Sequence, residues 1–150
     1  MRAFNRTTTI QHMTTTTTLQ NIFRIALGLM LCFTGTGHLT WAREEFVAQV
    51  PQWMPLSTDF IVVTSGVAEL LLGVSLILWK KERVRIGWAA ALFFVLIFPG
   101  NISQYIHHTD AFGLDSDAKR LVRLFFQPVF IIWALWATGA WQAWRSKHQS

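Results

Sequence analysis

The sequence predicts an all-α fold, a bundle of four transmembrane helices. Hydrophobic residues make up 52% of the chain and charged residues only 14%, against about 25% charged residues in an average soluble protein. Charges are absent from 86–103 and 124–144, and 60–79 contains only Glu69. The stretch 88–98 is apolar on every side, whereas a helix around a soluble core keeps a polar stripe. These patterns favour a membrane bundle over a soluble one.

The positions of the four spans follow from the length that a membrane requires. A helix needs about 20 apolar residues to cross a hydrocarbon core of about 30 Å. The segments that meet this need lie at about 22–39, 60–79, 86–106 and 121–144, and they form one membrane domain, 22–144. The first is short and contains Arg24, whose long side chain can extend from the helix end to the interface. Residues 38–59 are expected to form an interfacial loop.

The two ends of the chain are polar. Residues 1–21 are rich in threonine and have little to bury, which predicts a disordered tail. No apolar segment follows Arg2 and Arg6 before the first span, so the tail lacks the pattern of a secretory signal peptide. A transit peptide, and a start at Met13 instead of Met1, remain alternatives. Residues 145–150 form a short C-terminal tail.

The distribution of basic residues predicts that both termini lie in the cytoplasm. Cytoplasmic segments carry an excess of Lys and Arg. With the N-terminus inside, four of the 13 basic residues lie outside: Arg43, Lys119, Arg120 and Arg123. Nine lie on the cytoplasmic side: Arg2, Arg6, Arg24, Lys80, Lys81, Arg83, Arg85, Arg145 and Lys147. Because these charges cluster at the ends of spans, the net charge of +5 does not indicate nucleic acid as a partner.

Glu69 and His38 are the first candidate site residues. A carboxyl group within a span is expensive, so it usually faces a partner or a cavity. Glu69 shares one helix face with Ser65 and Gly73, which suits the bundle interior. His38 ends the first span, beyond Gly35. Each side chain has two open interpretations, a structural hydrogen bond between helices or a ligand or proton site.

A second group of candidates lies near the opposite ends of the third and fourth spans. Pro99 removes a backbone donor and is expected to kink or break the third helix. Beyond it, Asn101, Gln104 and His108 fall on one helix face. Arg123 and Gln127 share a face near the start of the fourth span, together with Arg120. This polar cluster either locks the helices together or binds a ligand.

The sequence offers no catalytic or metal site. His107 and His108 are adjacent, and adjacent residues on a helix point about 100° apart, unlike the i, i+4 pairs of metal-binding helices. Phosphate-binding loops, Gly-x-Ser-x-Gly and haem-attachment motifs are absent. Cys32 is the only cysteine, so one chain has neither a disulfide nor a dithiol pair. The isolated chain is therefore not expected to be an enzyme.

The order and spacing of several short segments resemble the DoxX-like family of small membrane proteins over about residues 22–144. The segments are the glycine-rich end of span one with His38, the loop with Pro51 and Pro55, 65–73 around Glu69, 98–101, and Arg123 with Gln127. The resemblance implies a four-helix membrane bundle. It also implies a shared central region for Glu69, His38, Asn101 and Gln127. Relatives named DoxD are associated with thiosulfate and quinone oxidoreduction, others accompany redox or maturation systems, and many have no assigned activity.

Three functions follow as hypotheses. The first is an accessory subunit of a membrane redox system that contacts a quinone, with redox proteins as partners, because of the family resemblance and the polar residues within an aromatic-rich bundle. The second is a proton-linked binding or transport module for a small amphipathic molecule, and four spans would favour a homo-oligomer. The third is a ligand-free structural or assembly protein. Short loops and basic links predict a bacterial inner membrane.

Overall fold

The computed structural model describes residues 16–148, and every regular element in that range is helical. A 3₁₀ turn, Lys80–Glu82, joins the third helix to the fourth. The six α-helices are α1 Thr18–Leu39, α2 Arg43–Val47, α3 Thr58–Leu78, α4 Arg83–Ile106, α5 Asp117–Ala137 and α6 Ala140–Lys147. Helices α1, α3, α4 (with the 3₁₀ turn) and α5 are long and apolar enough to cross a membrane. The fold is thus all-α and consistent with an integral membrane protein.

Helix α1 begins before the predicted start of the first span. Thr17 caps the helix: its hydroxyl accepts from the backbone N–H of Gln20, and the Gln20 side chain accepts from the N–H of Thr17. This capping box satisfies donors that a helix start leaves free, so residues 18–21 of the predicted tail are helical. Residues 1–15 and 149–150, and with them the question of Met13, lie outside the described residues.

The fourth span ends earlier than predicted, and the loop 38–59 contains more structure than predicted. Helix α5 stops at Ala137, and Gly139 has a φ of 75°. Glycine enters this left-handed region without steric cost, which ends the helix. Residues 140–147 form the separate helix α6. In the loop, α2 is a short helix, and Arg43 at its start pairs with Asp59 on α3.

Helices α1 and α3 pack backbone to backbone through glycines. A Cβ at Gly28 would lie 2.8 Å from the Gly73 carbonyl oxygen, and one at Gly73 would lie 2.6 Å from that of Gly28. At the other end of the pair, a Cβ at Gly35 would lie 2.8 Å from the Gly66 carbonyl oxygen. Small residues permit this approach of membrane helices. The face of Ser65, Glu69 and Gly73 that was predicted to point into the bundle is therefore part of the α1–α3 contact through Gly73.

Helices α4 and α5 are joined by two buried amide side chains. Asn101 Nδ2 donates to Gln127 Oε1 at 2.8 Å, and Gln127 Nε2 donates to the Phe94 carbonyl oxygen at 2.6 Å. Phe94 lies just before the turn that Pro99 interrupts. The carbonyl that Pro99 leaves without a helical donor is that of Val95, one residue after Phe94, and α4 nevertheless continues past Pro99 to Ile106. Of the two predicted effects of Pro99, a kink or a break, the break does not occur.

The two pairs of helices meet through α1 with α5 and through α3 with α4, with the apolar core between them. Gln20 Nε2 on α1 donates to the Trp136 carbonyl oxygen on α5 at 2.8 Å. The start of α1 and the end of α5 therefore lie together, at what we call the α6 end of the bundle. The opposite end, covered by α2 and residues 48–57, is called the α2 end.

The glycine contact predicts that Gly73→Ala destabilises the bundle. The added methyl group would meet the backbone of Gly28 and Cys32, and overpacking of this kind costs about 1–3 kcal/mol. We expect a lower free energy of unfolding in detergent, measured by thermal or denaturant unfolding. The matched control is Gly100→Ala, where the new Cβ meets only the Gln49 carbonyl oxygen, at 3.4 Å. Equal stability losses in both variants would contradict the close contact.

The amide pair predicts that Gln127→Leu loosens α4 from α5. The substitution leaves buried donor and acceptor groups of Asn101 and Phe94 without their partner, at a cost of about 1–3 kcal/mol. The same unfolding assay measures this loss. Gln142→Leu on the exposed face of α6 is the control and should change little. Unchanged stability of Gln127→Leu would show that the pair does not join the helices.

Candidate functional site

A cavity of about 630 Å³ lies between the α1–α3 pair and the α4–α5 pair, at the α2 end of the bundle. Residues 46–56 cover it. Aromatic and aliphatic side chains form its deeper part, among them Met30, Phe93, Phe94 and Phe130. Its polar lining consists of Thr34, His38, Gln49, Thr64, Ser65, Glu69, Asn101, Arg123 and Gln127. The cavity therefore combines an apolar interior with polar groups toward one end.

One wall carries His38 and Glu69, which the close approach of α1 and α3 brings together. Nε2 of His38 lies 3.4 Å from Oε2 of Glu69, and the two residues are only 8% and 5% exposed. Gly66 provides the space for His38, since a Cβ there would lie 2.7 Å from that of His38. The ring of Phe46 from α2 stacks on the imidazole, with 3.3 Å between centroids. The histidine is thus held on both sides.

Glu69 retains hydrogen-bonding capacity. Its buried Oε2 atom makes no hydrogen bond within residues 16–148. Thr34, on the same wall, directs its hydroxyl to the carbonyl oxygens of Met30 and Leu31 in its own helix. A buried oxygen without a partner is costly, so a bound molecule that donates a hydrogen bond to it would be stabilised.

The opposite wall carries Arg123 of α5. Its Nη2 donates to Gln49 Oε1 at 2.8 Å, and the guanidinium lies 5.4 Å from the ring centroid of Phe112. Among the described residues, no carboxylate oxygen lies within 4 Å of it. The buried Nε2 of Gln49 also makes no hydrogen bond within the described range. This wall therefore carries hydrogen-bond donors, and the first wall carries a hydrogen-bond acceptor, the Oε2 atom of Glu69.

The cavity reaches the outer surface of the bundle. Leu96 on α4 and Phe126 on α5 line it, yet they are 64% and 51% exposed. Thr64 on α3 is likewise a lining residue with an exposed side chain. If these helices span a membrane, such exposed side chains would face the lipid, and the cavity would be open to it from the side.

Five of the seven predicted site residues line this cavity: His38, Glu69, Asn101, Arg123 and Gln127. Gln104 is buried outside it, and its Nε2 donates to the Thr109 carbonyl oxygen at 3.3 Å. His108 is exposed and contacts Asp117 at 2.7 Å. The predicted single cluster is thus divided, because α4 ends at Ile106 and His108 has a φ of 53° outside the helix. Buried Arg120 joins the second group through Asp117 and Asp110.

Sequence reasoning missed Gln49, Phe46 and Thr34. Gln49 and Phe46 come from the loop that covers the cavity, and their positions depend on how that loop folds back. Thr34 lies one helical turn before His38, so the helical period alone could have placed it on the same face. Within residues 16–148 no group of three or more His, Cys, Asp or Glu side chains could hold a metal ion.

Comparisons with known proteins give one result. No curated protein and no solved structure matches the chain. A family described as "Domain of unknown function (DUF8561)" matches residues 27–138, a range that contains the five cavity-lining candidates. Because this match covers most of the sequence, the chain belongs to the DUF8561 family.

Proposed function

We propose that this protein binds a quinone, or a quinone-like amphipathic molecule, in the cavity at the α2 end and serves as an accessory subunit of a membrane redox system. The observation that carries the proposal is the buried Glu69 Oε2 atom, which lies beside His38, makes no hydrogen bond within residues 16–148 and lines the cavity. The resemblance to the DoxX-like family, with its association with quinone oxidoreduction, adds the redox context.

The size and polarity of the cavity support a ligand of this class. Small-molecule sites commonly enclose about 300–1,000 Å³ and combine an apolar lining with a few placed polar groups. The 630 Å³ cavity fits that range. Aromatic side chains of α4 and α5 would contact a flat ring, and the lateral opening would let an apolar tail extend into lipid. A water-soluble ligand would gain little from such an opening.

The polar groups suit a head group with oxygen atoms at two ends. Arg123 and Gln49 Nε2 can donate to a carbonyl oxygen on one wall. Glu69 Oε2 can accept from a hydroxyl group on the other wall, beside His38. A quinone carries a carbonyl oxygen at each end of its ring, and the quinol formed by its two-electron, two-proton reduction carries a hydroxyl group at each end. His38 and Glu69 would then give or take one of the two protons at one end, while the redox partner supplies or accepts the two electrons.

The second hypothesis, a proton-linked binding or transport module, uses the same residues. Intramembrane carboxyl groups often take part in proton relays, and Glu69 has the free oxygen that such a role requires. The two functions separate in proteoliposomes: a transport module moves a solute in response to a pH gradient, and Glu69→Gln abolishes that movement. A ligand-free structural protein would show neither binding nor transport.

We further propose a bacterial inner membrane as the location, with the N- and C-termini in the cytoplasm. The excess of basic residues near the α6 end supports this orientation. The lipid bilayer is then the first partner, and redox proteins or a second copy of the chain are the expected protein partners.

The binding proposal predicts that purified protein retains a small amphipathic molecule. Native mass spectrometry of detergent-purified protein, followed by solvent extraction, identifies it. Glu69→Gln and His38→Ala should each lower its affinity by about tenfold, since leaving a buried hydrogen-bonding group without its partner costs roughly 1–3 kcal/mol.

The matched controls are Glu82→Gln and His107→Ala, because both residues are exposed and lie outside the cavity. They should retain the molecule at the wild-type level. Wild-type protein that is empty after growth in quinone-replete cells would refute the proposal. So would equal retention in all four variants.

The orientation predicts opposite accessibility of the two ends. In a Cys32→Ala background, Glu44→Cys on α2 should react with a membrane-impermeant maleimide in intact spheroplasts. His148→Cys, beyond α6, should react only after permeabilisation. The reverse pattern would place both termini outside.

A further inference from the structure

A second cavity, of about 460 Å³, lies beside the first at the α2 end. Phe46 and Thr34 line both cavities and separate them. The second cavity has an aromatic lining drawn from three parts of the chain: Phe33 on α1, Trp41 and Phe46 around α2, and Phe112 in the loop between α4 and α5. Its one carboxylate is Glu45.

The four rings form two pairs that meet at an angle. Phe33 and Trp41 lie 5.4 Å apart with 48° between their planes, and Phe46 and Phe112 lie 4.7 Å apart at 66°. Rings at such angles present faces and edges in several directions around one space. Ring faces carry negative partial charge and attract cations within about 6 Å of the centroid. Phe112 shows this property already, because the guanidinium of Arg123 lies over it.

Glu45 supplies a full negative charge with remaining capacity. One of its oxygens accepts from the Phe112 backbone N–H at 2.6 Å, which fixes the carboxylate beside the rings. No Lys, Arg or His nitrogen lies within 4 Å of Glu45 among the described residues. Its neighbour Arg43 is paired with Asp59. An ionised carboxylate has about four acceptor positions, so Glu45 can bind a further cation.

We propose that this second cavity binds an organic ammonium group, with Glu45 as its counter-ion and the rings of Phe33, Trp41 and Phe46 around it. Aromatic rings with a nearby carboxylate are the usual surroundings of a quaternary ammonium group. Phe33 and Trp41 are 66% and 63% exposed, so the site is open at the outside of the bundle. The ammonium group can belong to a phospholipid head group or to a free molecule. The site is independent of the function proposed for the first cavity.

The test uses the full chain in detergent and native mass spectrometry. The lipid probes are phosphatidylcholine and phosphatidylglycerol with identical acyl chains, which differ in the ammonium group. Tetramethylammonium is the soluble probe, with sodium at the same concentration as its control. We expect phosphatidylcholine to bind about fivefold or more tightly than phosphatidylglycerol, and tetramethylammonium to compete with it. Tetramethylammonium binding without a lipid preference would support a free ammonium ligand at the same site.

Variants locate the binding. Glu45→Gln and Trp41→Leu should remove the preference and the competition, and Trp41→Phe should keep part of both. Glu44→Gln and Trp53→Leu are the matched controls, because they lie nearby but do not line the cavity. Thermal unfolding verifies that each variant is folded. The proposal is wrong if neither probe binds preferentially to wild-type protein, or if the control variants lose binding as much as Glu45→Gln does.

Discussion

The close approach of α1 and α3 is the constraint on which the rest of the site depends. Two backbones come into contact at Gly28 with Gly73 and at Gly35 with Gly66. This contact places His38 directly above Gly66 and brings its ring to Glu69. A larger residue at position 66 would push the histidine away from the carboxyl group. The position of the His38–Glu69 pair therefore depends on the glycine contact as much as on the two side chains themselves.

The tight α1–α3 contact also forms one wall of the cavity. The α4–α5 pair is held separately by Asn101 and Gln127, and the two pairs meet through α1 with α5 and through α3 with α4. The cavity lies between the pairs at the α2 end, where residues 46–56 cover it. Polar side chains at span depth are costly in contact with lipid, so the interior is where they are stable. Glu69 and Arg123 thus face each other across the cavity without an ion pair.

Much of this arrangement could be predicted from the sequence. Each feature that could not be predicted has a specific physical reason. Long apolar segments with few or no charges predicted the four long helices, and the cost of a carboxyl group in a membrane identified Glu69. Helical spacing placed His108 with Asn101, but it assumed a helix that in fact ends at Ile106. Gly139 follows the end of the fourth long helix, but the sequence stays apolar as far as Trp144, so the predicted span was too long. Gln49 and Phe46 reach the cavity only through the fold of their loop, which no local pattern encodes.

The two cavities share a wall but differ in the residues that give each its chemistry. Phe46 stacks on His38 in the first cavity and contributes a ring to the second. A substitution at Phe46 would disturb both sites at once and could not separate their roles. Glu69 lines only the first cavity and Glu45 only the second. Because each carboxylate lines only one cavity, substitutions at Glu69 and Glu45 test the two cavities separately. A molecule displaced by a change at Glu69 and retained by one at Glu45 is therefore assigned to the first cavity on geometry alone.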